Sequence, residues 1–166
     1  MGKKKGSDSA STAAVVTLRQ SGVEFEIRQY EHRDGEQAFG KEAAASLGRD
    51  EAQVFKTLMI HHENNFAICI VPVAGKLNLK KAAAALGWKS ATMADPKVAE
   101  RRSGYVVGGI SPIGQKTAHD TLLDHSATEF STILVSGGKR GVDVELSPGD
   151  LLAVVSGRYA DLQMPA

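Results

Sequence analysis

The stretch Gln53-Val54-Phe55-Lys56-Thr57-Leu58-Met59-Ile60-His61, followed after His62-Glu63-Asn64-Asn65 by Phe66-Ala67-Ile68-Cys69-Ile70-Val71-Pro72, reads as two strands joined by a short polar link. Such a link makes the pair an antiparallel hairpin, because parallel strands need a longer crossover. Lys56 is the odd residue in its otherwise nearly apolar strand. On a face with Val54, Leu58 and Ile60, it either guards an exposed edge or points into a polar cavity.

Downstream, Gly104-Tyr105-Val106-Val107-Gly108-Gly109-Ile110-Ser111-Pro112-Ile113-Gly114 sets four glycines and a proline in eleven residues. It has neither strand alternation nor phosphate-loop spacing. Glycine lets a ligand approach the backbone closely and Pro112 restrains its predecessor, so amides from Gly108 to Ser111 are candidates to converge on an oxygen. A tight connector is the other reading.

Around these two segments the periodicity predicts a helix over Thr12 to Gln20 and a strand from Val23 to about Tyr30. In that strand Val23, Phe25 and Ile27 share one face and Glu24, Glu26 and Arg28 the other. Glu36 to Leu47 reads as a helix with Phe39, Ala43 and Leu47 on one side and Gly48 as its stop. Lys80 to Leu86 is an alanine-rich helix between Asn78 and Gly87, and Asp95-Pro96 starts another. Ser131 to Val135 and Gly141 to Leu146 pair around a turn at Ser136-Gly137-Gly138-Lys139-Arg140, and Ser147-Pro148-Gly149-Asp150 caps a last helix. The expectation is an α/β fold with a compact mixed sheet and surrounding helices, without the regular alternation of a doubly wound sheet.

With 42% apolar and 23% charged residues over 166 positions, the composition suits one globular core. No window approaches a membrane span, and the lysine-rich start leads into no apolar segment. Residues 1–9 are therefore expected to be a flexible tail ahead of one domain over 10–166, in a cytoplasmic protein. Cys69, the only cysteine, excludes an intrachain disulfide and fits a buried strand. Between Lys76 and Arg102 seven basic residues face Asp95 and Glu100, a net of +5. Between His119 and Asp150 six acidic residues face Lys139 and Arg140, a net of −4. A basic stretch beside a pocket suits a polyanion, or is simply solvated. The standard nucleotide-loop, serine-hydrolase and zinc-protease signatures are absent, and the five histidines show no ligand spacing, so neither metal nor other cofactor is expected.

Together, Phe39-Gly40, Val54-Phe55-Lys56-Thr57-Leu58, Pro72-Val73-Ala74-Gly75, Met93-Ala94-Asp95-Pro96, Gly104-Tyr105 and Gly108 to Lys116 resemble the YbaK/EbsC family of aminoacyl-tRNA deacylases. The stretch Val135-Ser136-Gly137-Gly138-Lys139-Arg140-Gly141 is similar to the bacterial Cys-tRNA(Pro) deacylase branch. The continuation Lys116-Thr117-Ala118-His119-Asp120 departs from the family's run.

The resemblance implies a YbaK-like editing domain acting in trans on tRNA(Pro) mischarged with cysteine, in transient complex with prolyl-tRNA synthetase. It also implies the site. Lys56, Gly108 and Gly109 carry the catalytic expectation, with Tyr30, Ile110, Ser111, Pro112 and Asp143 joining them in substrate binding. The backbone at Gly108 to Ser111 would stabilise an oxyanion, Lys56 orient the terminal nucleotide, Tyr30 contact the adenosine, and Asp143 hold the substrate ammonium or Lys56. For this family the cysteine thiol is the implied nucleophile, giving a cyclic thiolactone, with an enzyme-held water as the rival. Ala-tRNA(Pro) editing and noncatalytic aminoacyl-tRNA binding are the alternative functions.

Overall fold

The computed structural model describes residues 11–165, so the expected tail at 1–9 lies outside the described residues. Helix α1 (Ala13–Ser21) begins where Thr12 accepts a hydrogen bond from the Val15 amide. Strand β1 (Glu26–Gln29) is shorter than the alternation suggested, but Val23, Phe25 and Ile27 do pack together on the main core. Helix α2 spans Phe39–Leu47 rather than starting at Glu36. The reason is local: Glu36 donates its amide to the Arg33 carbonyl and accepts the Ala38 amide on its carboxylate, holding residues 33–38 in a turn.

The central hairpin forms as expected, with β2 (Phe55–His62) and β3 (Asn65–Pro72) antiparallel and Lys56 opposite Val71. Helices α3 (Leu79–Leu86) and α4 (Pro96–Ser103) carry their Asn78 and Asp95 caps, and β4 (Thr92–Met93) lies between them against β2. Strand β5 (Asp120–Asp124) then runs parallel to β3. A 3-10 turn over His125–Glu129 leads to β6 (Ile133–Lys139) and β7 (Val142–Leu146), and α5 (Pro148–Val155) and β8 (Arg158–Ala160) follow.

The expected turn at residues 136–140 is corrected by the structure. Most of it is strand, because β6 continues to Lys139 through an irregularity between Ser136 and Lys139. Ser136 accepts the Gly138 amide and Thr12 donates to the Gly137 carbonyl, so side chains take over the pairing lost there. A five-stranded sheet is ordered β4-β2-β3-β5-β8 and a three-stranded one β1-β7-β6, giving mixed and antiparallel pairing in one α/β fold. A bridge between Val54 and Leu134 joins them.

The main core lies where the sheets and α1 meet, with Leu18, Ile68, Ile70, Ile113, Leu123 and Ile133 fully buried. Each such side chain contributes roughly 1.5–3 kcal/mol by leaving water. Cys69 belongs to a second cluster with Ile60, Val71 and Leu122, and burial pushes its thiol up to about 12. It is a core side chain, as expected. Among the described residues no helix is long and apolar enough to cross a membrane, and no group of three or more His, Cys, Asp or Glu is arranged to hold a metal ion.

Candidate active site

A cavity of about 440 Å³ opens between the two sheets. Residues 56–59 of β2 form one wall, while Tyr30, Ser136 and Asp143 approach from the three-stranded sheet. The first turn of α2 and the glycine-rich run contribute Phe39, Lys41, Val107, Gly108 and Ile110. Met93, Ala94, Pro96 and Ala99 extend the lining toward α4. Of the eight residues the sequence nominated, Tyr30, Lys56, Gly108, Ile110 and Asp143 therefore meet at one cavity.

Gly109, Ser111 and Pro112 do not line it. The Gly109 amide donates to the Val106 carbonyl at 2.8 Å, which commits it inside a turn. A Cβ on Gly109 would lie 2.8 Å from the Lys139 Cα and 2.9 Å from the Arg140 nitrogen, so its smallness lets two backbones pack together. Ser111 is fully buried, accepting the Ile113 amide on its hydroxyl and the Gln115 side chain on its carbonyl. Tyr105 fastens the same loop by donating its hydroxyl to the Ile113 carbonyl at 2.6 Å. Gly108 is different. Its φ of 90° is in the left-handed region, and a Cβ there would meet the Phe39 ring at 2.7 Å and Arg140 Nε at 2.8 Å. Among the described residues the Gly108 and Ile110 amides have no hydrogen-bond partner.

The electrostatics set two lysines, Lys41 and Lys56, in the same cavity as one buried acid. Lys56 makes no ion pair among the described residues, and its pKa is lowered first by partial burial and then by Lys41 and Lys76. Asp143 is 5% exposed and equally unpaired, and desolvation raises its pKa to about 7. Tyr30 is pushed up to about 12, by burial first and then by Asp143, so its phenol stays protonated. Its backbone donates instead to the Gly141 carbonyl, tying it to the β6–β7 hairpin.

One contributor was missed by sequence reasoning, and so was Arg140, a neighbour outside the lining of this cavity. Thr57 lines the cavity with a buried hydroxyl that has no hydrogen-bond partner, and its signal, one polar residue after Lys56 in an apolar strand, was available. Arg140 was read as part of a turn, yet its guanidinium stands 4.9 Å from the Phe39 ring centroid and Nε donates to the Val107 carbonyl at 2.9 Å. No local pattern pairs positions a hundred residues apart.

This fold and cavity have known counterparts. A family model described as the aminoacyl-tRNA editing domain matches residues 36–154, a span that contains Lys56, Gly108, Ile110 and Asp143. A protein of Enterococcus faecalis, provisionally named as the Cys-tRNA(Pro)/Cys-tRNA(Cys) deacylase EbsC, is 35% identical over 164 residues, 98% of each chain. Among solved structures, one provisionally titled a trans-editing enzyme for prolyl tRNA synthetase superposes with a TM-score of 0.82 at 24% identity, covering 93% of this chain and 99% of that one. A protein titled only as hypothetical gives 0.83 at 21% identity, covering 92% and 100%. The class is that of aminoacyl-tRNA editing domains. Within it, the chain belongs to the YbaK/EbsC family of aminoacyl-tRNA deacylases, close to the bacterial Cys-tRNA(Pro) branch.

Proposed function

We propose that this protein deacylates Cys-tRNA(Pro) in trans, clearing the product of an error that prolyl-tRNA synthetase makes because cysteine and proline are similar in size. Packing alone rejects a near-isosteric side chain weakly, so a second site must make the distinction. The observation that carries the reading is the gathering of Lys56, Asp143, Tyr30, Gly108 and Ile110 around one cavity. The name of the Enterococcus relative supports the cysteine ester as substrate.

In this reading the substrate ammonium pairs with Asp143, whose carboxylate is otherwise unpartnered and would be held ionised by that charge. Lys56 binds the terminal adenosine's ribose or phosphate and Tyr30 contacts the adenosine. The cysteine sulfur attacks its own carbonyl carbon, and the oxyanion accepts hydrogen bonds from the free amides of Gly108 and Ile110. One such donor is worth about 3 kcal/mol. Collapse breaks the ester bond, the thiol proton ends on the ribose oxygen, and a cyclic thiolactone leaves. Intramolecular attack replaces an encounter by positioning, so this chain need supply no nucleophile. Gly109, Ser111 and Pro112 then act by shaping the loop.

The test is the lifetime of cysteine, alanine and serine esters on tRNA(Pro), with and without protein. Cysteine release should be the most accelerated, and folded Lys56→Ala should lose far more activity than folded Cys69→Ala. Preferential release of alanine would make the protein an Ala-tRNA(Pro) deacylase, and binding without a shortened lifetime would make it a noncatalytic module. An S-methylcysteine ester separates the chemical routes. Its rapid hydrolysis, with solvent oxygen in the released acid and no thiolactone, would favour an enzyme-held water.

A further inference from the structure

A second cavity, also of about 440 Å³, adjoins the first and shares Gln37, Phe39 and Val107 with it. Its remaining lining is His32, Gly35, Glu36 and Arg140. The volume falls within the range of small-ligand sites. Its chemistry is selective: an aromatic ring, an imidazole and a guanidinium, with both neighbouring acids already engaged. Glu36 accepts the Ala38 amide at 2.9 Å and lies 3.6 Å from Arg33, while Glu42, behind His32, accepts from His32 Nδ1 at 2.7 Å and from the Arg33 amide at 2.8 Å.

That leaves three unused recognition groups. Arg140 spends Nε on the Val107 carbonyl, and its two terminal nitrogens make no hydrogen bond or ion pair among the described residues. Glu42 takes His32 Nδ1 and fixes the ring, leaving Nε2 without a hydrogen-bond partner among the described residues. The Phe39 ring lies 5.7 Å from the His32 ring, tilted by 35°, and beneath the guanidinium. A planar base stacks on aromatic and guanidinium surfaces, and a phosphodiester takes the free fork of an arginine.

From this arrangement we infer that the second cavity binds the nucleotide that precedes the esterified adenosine, its base against Phe39 and His32 and its phosphate on Arg140. The inference rests on the proposed function, because only a ligand whose terminal residue occupies the first cavity presents a neighbouring nucleotide to the second. Continuity through Phe39 and Val107 then gives a single strand two adjoining seats.

Binding and turnover test it separately. Wild-type protein is titrated with adenosine and with the dinucleotide cytidylyl-adenosine, and its deacylation rate is measured on cysteinyl-adenosine and on cysteinyl-tRNA. The dinucleotide should bind about tenfold more tightly than adenosine. Arg140→Gln and Arg140→Glu, at an exposed position and checked for folding by circular dichroism, should remove that advantage. They should lower kcat/KM on the tRNA ester by a similar factor and leave the adenosine ester unaffected. Equal affinity of wild type for the two ligands, or equal loss on both esters, overturns the inference. If wild type deacylates neither ester the reading of the first cavity fails, and the dinucleotide advantage with its loss in the Arg140 variants still decides the second.

Discussion

Asp143 is buried, acidic and unpaired, which makes it the residue where function and stability pull apart. Its folded pKa of about 7 lies above the ordinary carboxylate value of 3.8, so the native state holds its proton more tightly than the unfolded chain. The stability that Asp143 contributes is therefore fullest in acid and declines as pH rises from about 4 through 7, by an amount on the order of 4 kcal/mol. Asp143→Asn should abolish this dependence. In thermal melts the variant's advantage over wild type should widen between pH 5 and pH 8; a constant offset would contradict the buried, unpaired state. Thr57→Val should gain about 1 kcal/mol by replacing a buried hydroxyl that bonds to nothing, measurable by urea denaturation. Gly109→Ala should lose about 1–3 kcal/mol, since its methyl group meets backbone atoms that cannot rotate away.

At the scale of elements, one carboxylate ties three segments together. Glu145 on β7 accepts Arg28 Nε from β1 at 2.9 Å, both terminal nitrogens of Arg49 at 2.8 Å, and the Thr132 hydroxyl at 2.6 Å. The Arg49 hydrogen bonds above all hold its pKa down at about 2. Its contribution is present above the ordinary carboxylate pKa and disappears as pH falls from about 4.5 through 2. Discounted for solvent reaching both arginines, it is on the order of 1–2 kcal/mol. Glu145→Gln should lower stability at pH 7 and converge with wild type near pH 2, as followed by urea midpoints.

The elements that were legible in the sequence are those whose signals are local. Asn78, Asp95 and Ser147 each accept the backbone amide that caps their helix, and the Phe55–Pro72 hairpin shows itself by apolar runs around a polar link. Strand β5 escaped notice because it is short and pairs with β3 across fifty residues, and β8 exists only through β5. The site divides likewise. Lys56 stood out as a charge in an apolar strand, whereas the withdrawal of Gly109 from the cavity depends on Lys139, a neighbour met only in the folded chain, and that of Ser111 on bonds to Ile113 and Gln115 that no periodicity announces.

Over the whole molecule the charge asymmetry of the sequence changes meaning. Asp124, Asp143 and Glu145, half of the acidic residues between His119 and Asp150, are buried, so that segment presents less negative surface than its composition suggests. In the basic segment Lys80, Lys97 and Arg101 are exposed, but Lys81 reaches both carboxylate oxygens of Asp161 and Arg102 lies 4.1 Å over the Phe66 ring. On the proposed function, Lys80→Gln with Arg101→Gln should weaken tRNA binding. The slope of log affinity against log salt should flatten by about one for each phosphate that is no longer neutralised. Lys81→Gln should change the slope least. Filter binding across a salt series reads both, and equal slopes for all variants would remove this face from the interface.

The backbone joint between the sheets is one bridge, Val54 to Leu134, beside which Gln53 holds the Thr132 carbonyl, and the shared core packs around it. Lys56 stands on one sheet and Asp143 on the other, so a ligand held by both is a removable rivet across a seam. Its presence should add to the hold of the shared core and raise the free energy at which the two sheets part. In deuterium-exchange measurements, amides of β2 and β7 should then slow together when a stable aminoacyl-adenosine amide is added, while those of α3, outside the seam, keep their rate.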